Sequence, residues 1–99
     1  VSALWIAHAT VTDPEAYGRY AALAGPAIAA QGGIFLARGG RHVQLEGKGH
    51  ARNVVARFPS LEAAEACYRS DAYQAALSHA RGAAERDLVI VEEIPAGEG

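Results

Sequence analysis

Four short segments of this chain, Leu4–Val11, Ile34–Arg38, Arg52–Phe58 and Asp87–Ile94, place apolar side chains on both faces that an extended strand presents. Each is short, apolar-rich and bounded by turn or helix-start residues, so each reads as a strand. Strand side chains alternate between the two faces of a sheet. One set holds Trp5, Ala7, Ala9, Phe35, Ala37, Val54, Ala56, Phe58, Val89 and Val91. It is wholly apolar and rich in alanine, which lets helices approach closely, and it is assigned to a helix-covered face. The other set holds Leu4, Ile6, His8, Thr10, Ile34, Leu36, Arg38, Asn53, Val55, Arg57, Leu88, Ile90 and Glu92. An antiparallel sheet with one solvated face is mostly polar there, whereas this set is dominated by aliphatic residues. Leaving those in water forgoes about 1.5–3 kcal/mol each, roughly 10–20 kcal/mol as an upper bound. That is as large as the ~5–15 kcal/mol net stability of a typical domain. With helical segments enough for one face only, a second copy packed sheet to sheet as a symmetric homodimer is the expected cover.

The helices have clear start and stop signals. Asp13-Pro14-Glu15 supplies a cap, a first-turn proline and a negative charge at the positive end of the dipole. Tyr17, Tyr20, Ala24, Ala27 and Ile28 then recur at spacings of three and four. Pro26 lacks the N–H that would bond the carbonyl four residues back, so Gly25-Pro26 predicts a kink or break, and Gln31-Gly32-Gly33 an end. Ser60 caps a second helix whose apolar positions are Leu61, Ala64 and Tyr68, with Ala63 and Cys67 alongside. Ser70-Asp71 predicts a break and a restart through Tyr73, Ala76 and Leu77. Between the second and third strands, Gly39-Gly40 predicts a bulge or bend and Arg41–Leu45 a resumed strand-like alternation. Glu46-Gly47-Lys48-Gly49 predicts a hairpin turn. The order β-α-β-β-α-β is the split βαβ arrangement of a ferredoxin-like α+β fold, an antiparallel sheet with both helices on one face. Residues 1–99 form one domain with a core from 4 to 94 and a loose tail at 95–99.

Composition removes several classes of function. The net charge of -2, the pI near 6.1 and the scatter of the basic residues argue against a nucleic-acid partner. No apolar run approaches the roughly 20 residues of a membrane span. The start shows no basic segment followed by an apolar one, so no signal peptide is expected. The single cysteine, Cys67, excludes an internal disulfide and fits a reducing compartment, and the expected location is cytoplasmic.

The polar minority of the open face supplies the site candidates: His8, Arg38, Asn53, Arg57 and Glu92. They either line a pocket or sit at the rim and pair with one another. Arg38, beside a glycine pair that lets a ligand come close, is the candidate anion anchor, with an ion pair to Glu92 or Glu46 as the alternative. His8 is the candidate proton carrier, a role that imidazole suits near neutral pH. Tyr73, at the helix break, is the tyrosine expected to reach a cleft. Asn53, Arg57 and Glu92 complete the ligand-binding candidates. The histidines lack the spacing of a zinc site, so no metal is expected, and His42 and His50 read as surface residues flanking the hairpin. Cys67 reads as a small buried thiol rather than a nucleophile. Gly39-Gly40-Arg41 opens no helix and lacks the lysine of a phosphate loop. No cofactor is expected.

Tyr17, Gly32-Gly33-Ile34-Phe35, Arg38-Gly39-Gly40, Leu45-Glu46-Gly47, Val54-Val55-Ala56-Arg57-Phe58-Pro59-Ser60, Ser70-Asp71-Ala72-Tyr73-Gln74 and Leu88-Val89-Ile90-Val91-Glu92 follow one another along the chain. Together they resemble the bacterial "domain of unknown function" family numbered 1330 over nearly the whole sequence. The resemblance implies a ferredoxin-like dimeric α/β barrel with no established activity. Related barrel families include cofactor-free monooxygenases, muconolactone-isomerase-like enzymes and haem proteins. Three departures stand out: Arg57 replaces the acidic residue usual before Phe-Pro-Ser, Cys67-Tyr68 replaces a tryptophan-tyrosine pair, and the arginine the family often carries after Ser-x-x-Tyr falls at Arg81 or one place off. The functional expectation is a homodimer that binds a small organic, acidic molecule in a cleft between sheet and helices. It would act either with cofactor-free isomerase- or monooxygenase-like turnover or as a non-catalytic module or ligand carrier.

Overall fold

A computed structural model describes residues 1–95, so residues 96–99 of the expected tail lie outside the described residues. The elements are β1 (Ala3–Val11), α1 (Pro14–Ala30), β2 (Ile34–Arg38), β3 (Arg52–Phe58), α2 (Leu61–Arg69), α3 (Asp71–Ala80) and β4 (Ala84–Glu92). The strands form one antiparallel sheet in the order β2-β3-β1-β4. This is the ferredoxin-like α+β arrangement, with the second helical region split at Ser70 as its capping residues predict. Ser70 Oγ donates to the Cys67 carbonyl and accepts from the Tyr73 N–H, so one hydroxyl ends α2 and starts α3.

The helices cover the face that carries Trp5, Ala7, Ala9, Ala56 and Phe58. Trp5 is its centre: its ring lies 5.1 Å from Tyr73 in an edge-to-face contact and 5.6 Å from Phe58. The small alanines on either side leave room for the tyrosines of α1 and α3 to pack on the sheet. From α1, the buried residues are Tyr17, Tyr20, Ala24, Ala27 and Ile28, the set its spacing selects. Gly33 closes the corner after α1. A Cβ there would lie 2.5 Å from Ile28 Cγ2 and 2.8 Å from Phe58 Cζ, so no larger residue fits.

Five local expectations are corrected. First, α1 runs unbroken through Pro26. Both Pro26 and Ala22, whose carbonyl loses its usual donor, are exposed, so water can satisfy that oxygen. Second, Arg41–Leu45 is not a strand: it has no pairing partner among the described residues, and Val43 and Leu45 stand in solvent. Third, β4 is Ala84–Glu92 rather than Asp87–Ile94, because the N–H groups of Thr12 and Asp13 both bond the Ala83 carbonyl and anchor its start. Fourth, the faces of β4 are reversed. Trp5 pairs with Ile90 and Ala7 with Leu88, so Leu88, Ile90 and Glu92 belong to the helix-covered side and Val89 and Val91 to the open side. Fifth, the bulge falls between Phe35 and Ala37 rather than at the glycines. It pairs Ala37 with Val55 on the open face and turns Arg38 to pair with Val54 on the covered face.

The exchange in β4 leaves the open face as apolar as expected, since Val89 and Val91 stand in for Leu88 and Ile90. Ile34, Leu36, Val89 and Val91 are all exposed in the single chain. Among the described residues no helix is long and apolar enough to cross a membrane.

Candidate functional site

Small residues on the covered face leave room for large cations beside them. Ala9 of β1 is paired with Arg52 of β3 on one side and with Arg86 of β4 on the other. Directly opposed residues share a face, so the two guanidinium groups flank one alanine in a single row across three strands. The bulge in β2 adds Arg38 to the same side. All three arginines line one cleft between the sheet and α1, whose other walls include Trp5, Tyr17, Tyr20, Ala24 and Phe35. The enclosed space is about 30 Å³, room for a water or two or for the head of a small anion.

The charge in this cleft is one-sided. Among the described residues, no carboxylate lies within ion-pair distance of Arg38, Arg52 or Arg86. No lining residue is acidic, and none is a histidine. The Arg38 guanidinium lies 4.2 Å from the Phe35 ring centroid and against Gly25 of α1, where a Cβ would come within 3.4 Å of it. Arg52 lies over the Tyr17 ring at 6.0 Å.

Arg86 is the most committed of the three. Its Nη2 donates to the Tyr20 hydroxyl at 2.9 Å and to the Tyr73 hydroxyl at 3.3 Å, and the two hydroxyls bond each other at 2.7 Å. Its Nε is buried with no acceptor among the described residues, a state that costs a charged donor several kcal/mol, on the order of 1–3 or more. Burial opposes the charge on Arg86, yet the tyrosines around it hold its pKa above the ordinary value. Burial, and then the Tyr73 hydroxyl, push the Tyr20 phenol well above its usual range. Tyr20 is therefore a donor at neutral pH and not a base. With Tyr73 donating to Tyr20, the Tyr20 proton can point into the cleft. The arrangement can hold an oxyanion between a guanidinium and a phenol.

The site candidates read from sequence divide between the two faces. Arg38 reaches the cleft, from the covered side, and pairs with neither Glu92 nor Glu46; β2 and β4 are opposite edges of the sheet. Tyr73 is wholly buried behind Tyr20, which lines the cleft together with Tyr17. His8 and Asn53 lie on the other side of the sheet, their Nδ1 and Oδ1 2.6 Å apart. Asn53 also donates to the His50 carbonyl, which makes its Oδ1 the acceptor and His8 Nδ1 the donor. His50, expected at the surface, is buried: Nδ1 meets Thr10 Oγ1 at 2.8 Å and Nε2 meets Asp87 at 3.2 Å. These groups satisfy one another at one end of the open face. Arg57 pairs at the rim with Glu93 rather than Glu92, and Glu92 is exposed on the edge strand. Arg52 and Arg86 went unread in the sequence. Arg52 has the parity of Val54, Ala56 and Phe58, which was the available signal; Arg86 lay before the expected start of its strand.

A wider groove of about 420 Å³ lies on the α2 side, between Leu61, Tyr68, Leu88 and Ile90, with Trp5 as the wall it shares with the cleft. Its only charges are Glu65 and Arg69, already paired at 2.9 Å. Cys67 is buried under α1, with Sγ 3.6 Å from the Ala27 carbonyl, and burial pushes its thiol up to about 11. A raised thiol favours the protonated folded form. Its contribution is present below about pH 9, the ordinary value, and is lost as pH rises toward 11. Labelling by a thiol-specific disulfide reagent at pH 8 is expected only after unfolding in urea; stoichiometric labelling of the native protein would contradict this.

These features define a ferredoxin-like α+β domain with a cationic, aromatic-walled cleft beneath its first helix. The chain belongs to the family described as Domain of unknown function (DUF1330), whose model matches residues 2–94. Solved structures share the fold. The RPA0582 protein of unknown function from Rhodopseudomonas palustris has a TM-score of 0.76 and 21% identity, over 94% of this chain and 82% of that one. SnoaB, a cofactor-independent oxygenase from Streptomyces nogalater, has a TM-score of 0.66 and 13% identity, over 98% of each chain. A dimeric protein of unknown function and ferredoxin-like fold from Bacteroides fragilis has a TM-score of 0.64 and 12% identity, over 93% of this chain and 96% of that one. No curated protein matches the sequence.

Proposed function

We propose that this protein is a homodimer that binds a small organic acid in the cleft between α1 and the sheet, held by Arg86, Arg52 and Arg38. One observation carries the reading: among the described residues, three guanidinium groups without a carboxylate partner share one cleft, and the innermost has a buried donor with no acceptor. An acid whose carboxylate sits beside Arg86 and Tyr20 supplies that acceptor, while the body of the ligand lies toward the exposed Arg38. The dimer forms across the open face, where aliphatic side chains otherwise meet water. That a Bacteroides fragilis protein of the same fold is dimeric supports a dimer. The buried free thiol suits a reducing cytoplasm.

Two versions differ in turnover. The shared fold with a cofactor-independent oxygenase supports a cofactor-free enzyme, in which Arg86 and Tyr20 would stabilise negative charge on the ligand's oxygen. The absence of carboxylate and imidazole from the cleft lining favours a carrier without turnover, since the site has no general base.

Calorimetric titration with benzoate and with its neutral counterpart benzamide tests the reading. Benzoate is expected to bind at least about tenfold more tightly, because charge-assisted hydrogen bonds to guanidinium are worth roughly 1.5–3 kcal/mol. Equal affinity for the two, or binding of neither, would overturn it.

A further inference from the structure

We propose that residues 39–51 form an arm that docks on the second copy and, by docking, sets two of the three cleft arginines. The inference rests on the homodimer reading above.

An antiparallel pair such as β2 and β3 needs a turn of only two residues, yet a long excursion joins them. The arm leaves the sheet directly after Arg38, the last residue of β2, and returns directly at Arg52, the first of β3. Its middle carries Val43 and Leu45, 81% and 86% exposed, the most exposed large aliphatic side chains among the described residues. Among the described residues no strand pairs with that stretch.

The arm's far end identifies the side on which it lies. Lys48 pairs with Glu85 at 2.6 Å and His50 with Asp87 at 3.2 Å, while Thr10 holds the other nitrogen of His50. Thr10, Glu85 and Asp87 all belong to the open face, since Thr10 pairs with Glu85 and His8 with Asp87. The arm is thus rooted on the face whose Ile34, Leu36, Val89 and Val91 are also exposed. Arm and face each expose aliphatic side chains in the single chain, and a two-fold axis through the face on which the arm is rooted would bring each arm toward the partner. A second copy is the occupant that covers both with the same groups.

The arm's near end touches the site. Gly39 has φ +70, and a Cβ there would lie 2.6 Å from Arg52 Nη1, so the first residue of the arm packs on the Arg52 guanidinium. Holding the arm against the partner therefore fixes Gly39, and with it Arg52 and the adjoining Arg38.

The test is the double variant Val43→Ser with Leu45→Ser, studied by sedimentation equilibrium and benzoate titration. Both side chains are exposed in the single chain, so an unchanged far-UV spectrum is expected. The dimer dissociation constant should rise on the order of 100-fold or more, because a symmetric interface loses four aliphatic side chains. Benzoate affinity should fall as the variant dissociates and recover at concentrations that restore the dimer. A wild-type dimer whose constant the variant leaves unchanged would overturn the arm while sparing the dimer. A monomeric wild type would overturn the dimer reading itself. Equal benzoate affinity in monomer and dimer would overturn the coupling to the arginines.

Discussion

Replacing Arg86 with methionine is expected to weaken benzoate binding roughly 10- to 100-fold, the worth of losing charge-assisted hydrogen bonds in a low-dielectric cleft. Arg86 holds both the Tyr20 and Tyr73 hydroxyls and keeps a buried Nε without an acceptor. Methionine fills similar space, and the two hydroxyls still bond each other at 2.7 Å, so neither is stranded. Stability should therefore change by no more than about 1–2 kcal/mol in urea denaturation, which separates a binding role from a folding role. Lysine should not restore affinity, because a single ammonium cannot reach two phenols and a ligand with the planar fork of a guanidinium. Benzoate affinity unchanged by the methionine variant would leave Arg38 and Arg52 as the whole anchor and would remove Arg86 from the site.

Val55→Asp should convert the proposed dimer to a monomer. Val55 of β3 lies mid-sheet on the open face, paired with Ile6 of β1, which in turn pairs with Val89 of β4. In a two-fold interface one substitution enters twice, so two carboxylates would be buried without partners at a cost of several kcal/mol each. The dissociation constant should rise on the order of 1000-fold or more. Val55 is only half-buried in the single chain, so the monomer can hydrate the new carboxylate and keep its far-UV spectrum. Light scattering that still reports a dimer at micromolar concentration would place the interface elsewhere.

Much of the fold was legible because its signals are local. Asp13, Ser60 and Ser70 cap the helices that follow them. The buried stripe of α1 repeats at helical spacing within a few turns. Where the reading failed, the deciding contact lay far away in the chain. Leu88-Val89-Ile90-Val91 is apolar at every position, so either parity satisfies a core, and only pairing with β1 chooses between them. The bulge in β2 shows no sequence mark of its own at Leu36, yet it carries Arg38 to the other face. Pro26 predicts a break by a local rule, and solvent at Ala22 lifts that rule.

The amino-acid sequence alone determined the order of elements, their caps and the presence of aliphatic residues on both sides of the sheet, because each depends on neighbours within a turn or two. Tertiary structure decided which residues meet. It set Arg52 and Arg86 on either side of Ala9 and brought Arg38 over beside them. Those neighbours follow from strand register, which is fixed by pairings between segments tens of residues apart; alternation within β3 gives the face of Arg52 but not what lies beside it.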